Sequence, residues 1–314
     1  MTPEAESILP PANKPARNVH AWRADAALAG NTIIWGSTFV LVQAAIREVS
    51  PIVFLAIRFS IATVALALLF RGRIRFSPTR GGLVAGGCLF AGYLFQTVGL
   101  QFTTASKSAF ITGLTIPLVP LLTSIVYLHR PKFFEMAGVL CATIGMGMMT
   151  LQGETLRMGR GDLLTLGCAM AFAAHIITVG HYSGRTNFET LSFMQVAMAA
   201  VLSISTFWWV ETPVLHWSPV VVAALGVTGL LATALAFTVQ TWAQQHTTPT
   251  RTAVIFALEP VVAWLTSYWL TGEILSQRAA LGAALILAGI LLVELKRAHS
   301  QVHLSSRSAN PEVQ

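Results

Sequence analysis

The chain carries one five-span hydrophobic block twice, and that duplication constrains its fold more than any other feature. A shift of 144 residues lays the run from Gln96 to Leu114 on the run from Gln240 to Leu258. Gln96/Gln240, Thr97/Thr241, Gln101/Gln245, Thr103/Thr247, Thr104/Thr248, Ala109/Ala253, Ile111/Ile255 and Leu114/Leu258 are identities, and Lys107/Arg251 and Ser108/Thr252 are conservative. The same shift lays Gly138 and Gly145 on Gly282 and Gly289, while a shift of 137 lays Arg23 and Asp25 on Arg160 and Asp162. An odd number of spans per copy turns the two copies upside down relative to each other. Inverted repeats are an architecture of secondary transporters, with the solute site at the repeat interface near mid-membrane.

Of the 314 residues, 54% are hydrophobic and 11% charged, against roughly 25% charged in a soluble domain. Apolar runs of about 20 residues are long enough to cross a bilayer as helices. They read as spans over 26–46, 51–70, 81–101, 105–127, 133–151, 161–181, 190–209, 218–241, 249–271 and 277–295. The alternation of barrel strands is absent, and inside lipid a helix satisfies its own backbone. The expected fold is an all-α membrane protein of ten transmembrane helices, arranged as inverted five-helix repeats over 22–153 and 154–296. Residues 1–21, with Pro3, Pro10, Pro11 and Pro15, and the Ser- and Asn-rich residues 297–314 are expected to be disordered cytoplasmic tails. The first 25 residues lack the apolar core of a cleaved signal, so the first span is expected to be retained as its own insertion signal.

Orientation follows from Lys and Arg. With the N-terminus inside, fourteen of these residues fall on the cytoplasmic side, with Arg71, Arg73, Arg75 and Arg80 in one loop, and five fall outside. Both termini are therefore expected in the cytoplasm, in a bacterial inner membrane. The net charge of +7 reads as this topogenic signal plus contact with anionic lipid, and not as nucleic-acid binding. Cys88, Cys141 and Cys168 fall inside spans without ligand spacing, so neither a metal nor a disulfide framework is expected. No cofactor motif occurs, and there is no Walker-type nucleotide loop.

Helical periodicity locates a candidate site, because residues at i, i+4 and i+7 share one face. Asn31, Trp35 and Thr38 share a face in the first span; their equivalents in the sixth are Cys168, Phe172 and His175. Tyr93, Gln96 and Thr97 cluster in the third span and match Phe237, Gln240 and Thr241 in the eighth. Ser108, Thr112 and Thr115 line the fourth and match Thr252, Phe256 and Glu259 in the ninth. Each polar group alone reads as helix–helix glue. As a set on related helices they read as one solute pathway, because polar groups facing lipid are penalised. The fifth and tenth spans are nearly all apolar, with Gly138, Gly145, Gly147, Gly282 and Gly289, and read as peripheral scaffold or a homodimer face.

Ionisable residues inside spans mark pathways or relays. Glu259 precedes Pro260 near the middle of the ninth span, and its functional and helix-breaking readings stand side by side. His175 reads as a core histidine or a pathway group. Arg58 lies seven residues into its span, close enough to the interface to snorkel in a structural role.

The run Trp35-Gly36-Ser37-Thr38-Phe39, the pair Pro51 and Arg58, the run Leu258-Glu259-Pro260-Val261 and the pair Gly272-Glu273 together resemble the drug/metabolite transporter superfamily, in its EamA branch of ten-helix permeases. The resemblance covers roughly residues 22–296. The first half departs from it, with Leu128-His129 where the second has Gly272-Glu273. It implies transport, often export, of small organic solutes through a central cavity, among them amino acids, amphipathic amines, drugs, nucleosides or sugars. Proton antiport at Glu259 is the simplest coupling. A membrane-embedded enzyme using Ser37 with His175 is the competing class, but Ser37 lies off the Trp35 stripe.

Overall fold

The computed structural model describes residues 21–75, 79–103, 105–128, 132–151, 158–259, 261–262, 265 and 276–308. The helices are α1 (Ala21–Ala45), α2 (Pro51–Leu69), α3 (Arg80–Gly99), α4 (Ala105–Gly113), α5 (Thr115–Tyr127), α6 (Phe133–Thr150), α7 (Arg160–Tyr182), α8 (Phe188–Val210), α9 (Pro219–Gly229), a π-helical segment (Leu230–Leu235), α10 (Ala236–Ala243), α11 (Pro249–Phe256) and α12 (Gln277–Ser308). Among the described residues, seven helical stretches are long and apolar enough to cross a membrane, and α6 and α12 hold shorter apolar segments. The ninth span is described only in part, as α11 and a few residues after it. Residues 1–20 and 309–314, where tails were expected, lie outside the described residues. The last helix does not end near 296 but continues to Ser308, because residues 297–308 contain neither Gly nor Pro and a nucleated helix propagates readily.

Local chemistry starts the helices where the sequence changes character. Pro51, Pro219 and Pro249 stand in the first turn of α2, α9 and α11, where a missing N–H costs nothing. The side chains of Thr79, Asn187, Ser218 and Thr248 accept from the backbone N–H three residues on, the usual N-cap bond. The cap of α2 comes from elsewhere: Glu211 Oε1 accepts from Ile52 N and Val53 N, both at 2.9 Å.

The surface is apolar and the interior partly polar, the inverse of a soluble protein. Leu68, Leu69, Ile125, Val201 and Leu281 face outward, whereas Asn31, His175, Gln195 and Gln240 are buried. Trp208, Trp209 and Trp217 are exposed around the loop after α8, as in the aromatic belt of a bilayer interface.

Helix ends meet in two separate sets. Gln245 Nε2 donates to Ser183 O at 2.7 Å, and Thr247 donates to Asp25. These contacts gather the start of α1, the end of α7 and the loop before α11. At the other end of α7, Asp162 accepts from Thr103 at 2.7 Å, and the loop before α2 pairs with residues 211–216 through Ser50 and Val214. Each contact joins ends that strict alternation of spans puts on one side.

Among the described residues, two breaks interrupt the spans. The fourth span bends at Leu114, between α4 and α5, and α11 stops at Phe256 before a turn at Ala257 and Leu258. Proline has no N–H, so Pro117 and Pro260 deprive the carbonyls of Gly113 and Phe256, the last residues of α4 and α11, of their i+4 donors. Thr115 and Glu259, equivalent under the 144-residue shift, each follow a break directly. The eighth span carries the π-helical segment instead, a register that shifts carbonyls out of the regular ladder.

α6 packs along α12, and their glycines make the seam. A methyl group on Gly289 would come to 2.6 Å of the Gly138 carbonyl oxygen, and one on Gly145 would strike the Gly282 carbonyl. The shift carries one contact onto the other. The small-residue faces read as scaffold or dimer face are thus occupied within the chain.

Candidate functional site

A cavity of about 180 Å³ lies among the helices. Of the residues expected to share one pathway, Trp35, Thr38, Tyr93, Gln96, Thr97, Thr112, Thr115, Phe172, His175, Phe237, Gln240, Phe256 and Glu259 line it. They form repeat-related pairs across one space: Trp35 with Phe172, Thr38 with His175, Tyr93 with Phe237, Gln96 with Gln240, Thr112 with Phe256, and Thr115 with Glu259. Ala109 and Ala253, also equivalent, join them.

Four expected residues do not line the cavity. Asn31 donates to Ala236 O at 2.8 Å, clamping α1 to α10. Ser108 lies 3.5 Å from the Thr165 hydroxyl, and Thr252 returns its hydroxyl to Thr248 O. Thr241 donates to Phe237 O. All four are buried; Asn31, Ser108 and Thr241 bond between helices, as the glue reading of single polar residues has it, while Thr252 satisfies its hydroxyl within its own helix.

Thr241 nevertheless sets the chemistry of His175. Because its hydroxyl proton goes to Phe237 O, it must accept from Gln195 Nε2, at 2.9 Å. That bond turns Gln195 Oε1 toward His175 Nε2, 2.7 Å away. An amide oxygen only accepts, so the proton of neutral His175 sits on Nε2 and Nδ1 is left as an acceptor. Gln240 is held similarly, donating to Gln244 Oε1 at 3.1 Å while Gln244 donates to Ile176 O at 2.9 Å.

The π-helical segment anchors one wall. Ala232 O accepts from Trp35 Nε1 at 2.9 Å and from Arg58 Nη2 at 3.4 Å, and Thr233 Oγ1 accepts from Arg58 Nε at 2.7 Å. The Arg58 guanidinium lies 4.4 Å from the centre of the Tyr93 ring, whose hydroxyl it also meets at 3.0 Å. The aromatic rings then interlock. Tyr93 meets Phe172 edge-to-face at 5.3 Å, and Trp35 lies 4.9 Å from Phe256 and 5.5 Å from Phe237. Such pairs prefer these tilted geometries, which leaves apolar walls with polar groups at a few points.

Arg58 corrects the expectation of a snorkelling side chain. It is only 3% exposed and turns inward to line the cavity, because the Thr233 hydroxyl and the Ala232 carbonyl lie within reach. An arginine in an apolar span was the available signal; its direction was not. The fifth span also contributes, through Met146 of α6, so it is not scaffold alone. Ser37 is exposed and donates to Ile34 O, away from His175. Cys168 is buried beside Thr112 and is a free thiol, as are Cys88 and Cys141.

The EamA-like transporter family profile matches this chain twice, over residues 22–151 and 159–295. An uncharacterized transporter of Archaeoglobus fulgidus is 35% identical over 282 residues, covering 90% of this chain and 89% of its own length. The uncharacterized inner membrane transporter YedA of Escherichia coli K12 is 24% identical, covering 84% of this chain and 88% of its own. A solved crystal structure overlays with a TM-score of 0.74 at 18% identity, covering 87% of this chain and 97% of that one, which shows a shared fold.

Proposed function

The chain belongs to the EamA-like transporter family, and on that premise we propose that it is a secondary transporter moving small organic solutes by alternating access through the cavity. The observation that carries this reading is the lining. Residues equivalent under the repeat shift face one space in pairs, which suits two inverted five-helix halves rocking about a fixed central site. The breaks before Thr115 and Glu259 support it, since discontinuous helices form the solute sites of such carriers.

In this reading ten helices cross a bacterial cytoplasmic membrane with both termini inside, and the Lys and Arg bias supports that orientation. The direction is export. The solutes are amino acids or amphipathic amines, whose apolar parts suit the Trp35, Phe172 and Phe237 walls. The Glu259 carboxylate binds either a cationic group or a proton, so that solute and proton exchange at one site.

Single cysteines test the pathway. At Trp35, Tyr93, Gln96, Phe172, Phe237 and Gln240 they should react with small water-soluble thiol reagents, in a background lacking the native cysteines, and transported solute should protect them. A cysteine at Val139, which is 2% exposed within an apolar cluster of α5, α6, α11 and α12, should stay silent. Uniform inertness of the first set would turn the lining into packing seams.

A further inference from the structure

We propose that Arg58 forms an anion subsite in the cavity wall that takes the carboxylate of the transported solute. The inference rests on the reading of the cavity as the solute pathway and narrows it: a solute with an apolar body and a carboxylate, zwitterions included, is preferred over a simple amine. Arginine stays charged at any physiological pH, so burial cannot be relieved by loss of the proton. Inside a membrane an ionised side chain finds a partner, a backbone carbonyl or a water-filled space.

The partners of Arg58 are all neutral. Thr233 Oγ1, Tyr93 Oη and Ala232 O accept from Nε and Nη2, and among the described residues no carboxylate forms an ion pair with it. These bonds use Nε and Nη2. Nη1 makes no hydrogen bond to a protein acceptor among the described residues, and Arg58 lines the cavity. The group is therefore held in advance, with the Tyr93 ring 4.4 Å from it and Thr233 fixing its orientation, while Nη1 is left to meet a solute in the cavity. A clamp between α2 and the π-helical segment would need only a neutral donor, since a buried charge without a counter-ion is expensive. A carboxylate supplies that counter-ion and charge-assisted hydrogen bonds with it.

The test measures binding to the purified full-length protein in lipid nanodiscs, using 3-phenylpropionate and phenylalanine against 3-phenylpropionamide and phenethylamine. The two carboxylates should bind the wild type about tenfold or more tighter than the amide and the amine, as a charge-assisted bond implies. Arg58→Lys should keep a reduced preference for the acid over the amide, and Arg58→Gln should bring that ratio close to one. A purely structural Arg58 would lower the melting temperature in both variants and leave the ratio alone. If Arg58→Gln does not fold, wild type and Arg58→Lys still read the ratio. Equal binding of acid and amide by wild type, a ratio that survives Arg58→Gln, or no binding of either carboxylate would overturn the subsite. Protection of the pathway cysteines by phenethylamine alone would remove the subsite and leave the pathway reading standing.

Discussion

Arg251 donates to the Asp25 carboxylate at 2.5 Å and ties the start of α11 to α1. Asp25 also accepts from Thr247, and at the start of α7 Asp162 accepts from Thr103. Positions 25 and 162 are equivalent, as are 247 and 103, so one aspartate latch is built twice. The Asp25 and Arg251 side chains are 11% and 10% exposed. Removing one partner of a buried pair costs about 3–5 kcal/mol, far more than removing both. Arg251→Gln should therefore lower the melting temperature clearly in detergent, and adding Asp25→Asn should recover much of the loss. An unchanged melt for Arg251→Gln would mean that the pair behaves like a surface contact, worth about 0–1 kcal/mol.

The glycine seam should be equally sensitive at its two related points. Gly145→Val and Gly289→Val each drive a side chain into a backbone carbonyl, and overpacking of this kind costs about 1–3 kcal/mol. Gly30→Ala, at a position with open space around it, is the control. Melts of the three variants in one detergent decide the matter, and similar tolerance of all three would show that α6 and α12 separate freely.

Glu259→Gln keeps the size of the side chain and removes its charge. If Glu259 exchanges a proton for solute, the variant should lose the pH dependence of efflux together with most of its rate. Efflux from cells overproducing each form, followed at several external pH values, reads this directly. The same rate with the same pH profile would reassign Glu259 to shaping the ninth span around Pro260.

Glu211 predicts a pH effect of known sign outside the membrane. Burial pushes its carboxyl above the ordinary 4.5, against the pull of the Val53 and Ile52 amides. The folded state thus holds the proton more tightly than the unfolded one, and this group's contribution to stability falls as pH rises from 4.5 through the raised value. Glu211→Gln keeps an oxygen for both amides and should remove that slope. A melt-against-pH curve identical to wild type would place the slope on another group.

The helical class and most of the cavity lining were legible in the residues, because the signals are local. A span of some 20 apolar residues has one way to satisfy its backbone in lipid, and helical spacing puts Trp35 with Thr38 and Thr112 with Thr115 on one face. The π-helical segment was not legible. Its sequence, Leu-Leu-Ala-Thr-Ala-Leu, suits an ordinary helix, and what distinguishes it is the set of bonds that Trp35 and Arg58 bring to it from other helices.

The sequence by itself determined the spans, the duplication and the polar stripes, since each depends on composition and on spacing along one chain. Only the tertiary structure decided which stripe members face the cavity and which are clamps. Asn31 and Trp35 stand one helical turn apart on the same face, yet Asn31 is consumed by Ala236 O while the Trp35 ring borders the open space. The direction of Arg58, toward the cavity and not toward the interface, was decided in the same way. The physical reason is that a stripe is as wide as a helix face, whereas the fate of a polar group depends on whether a neighbouring helix brings an acceptor within about 3 Å.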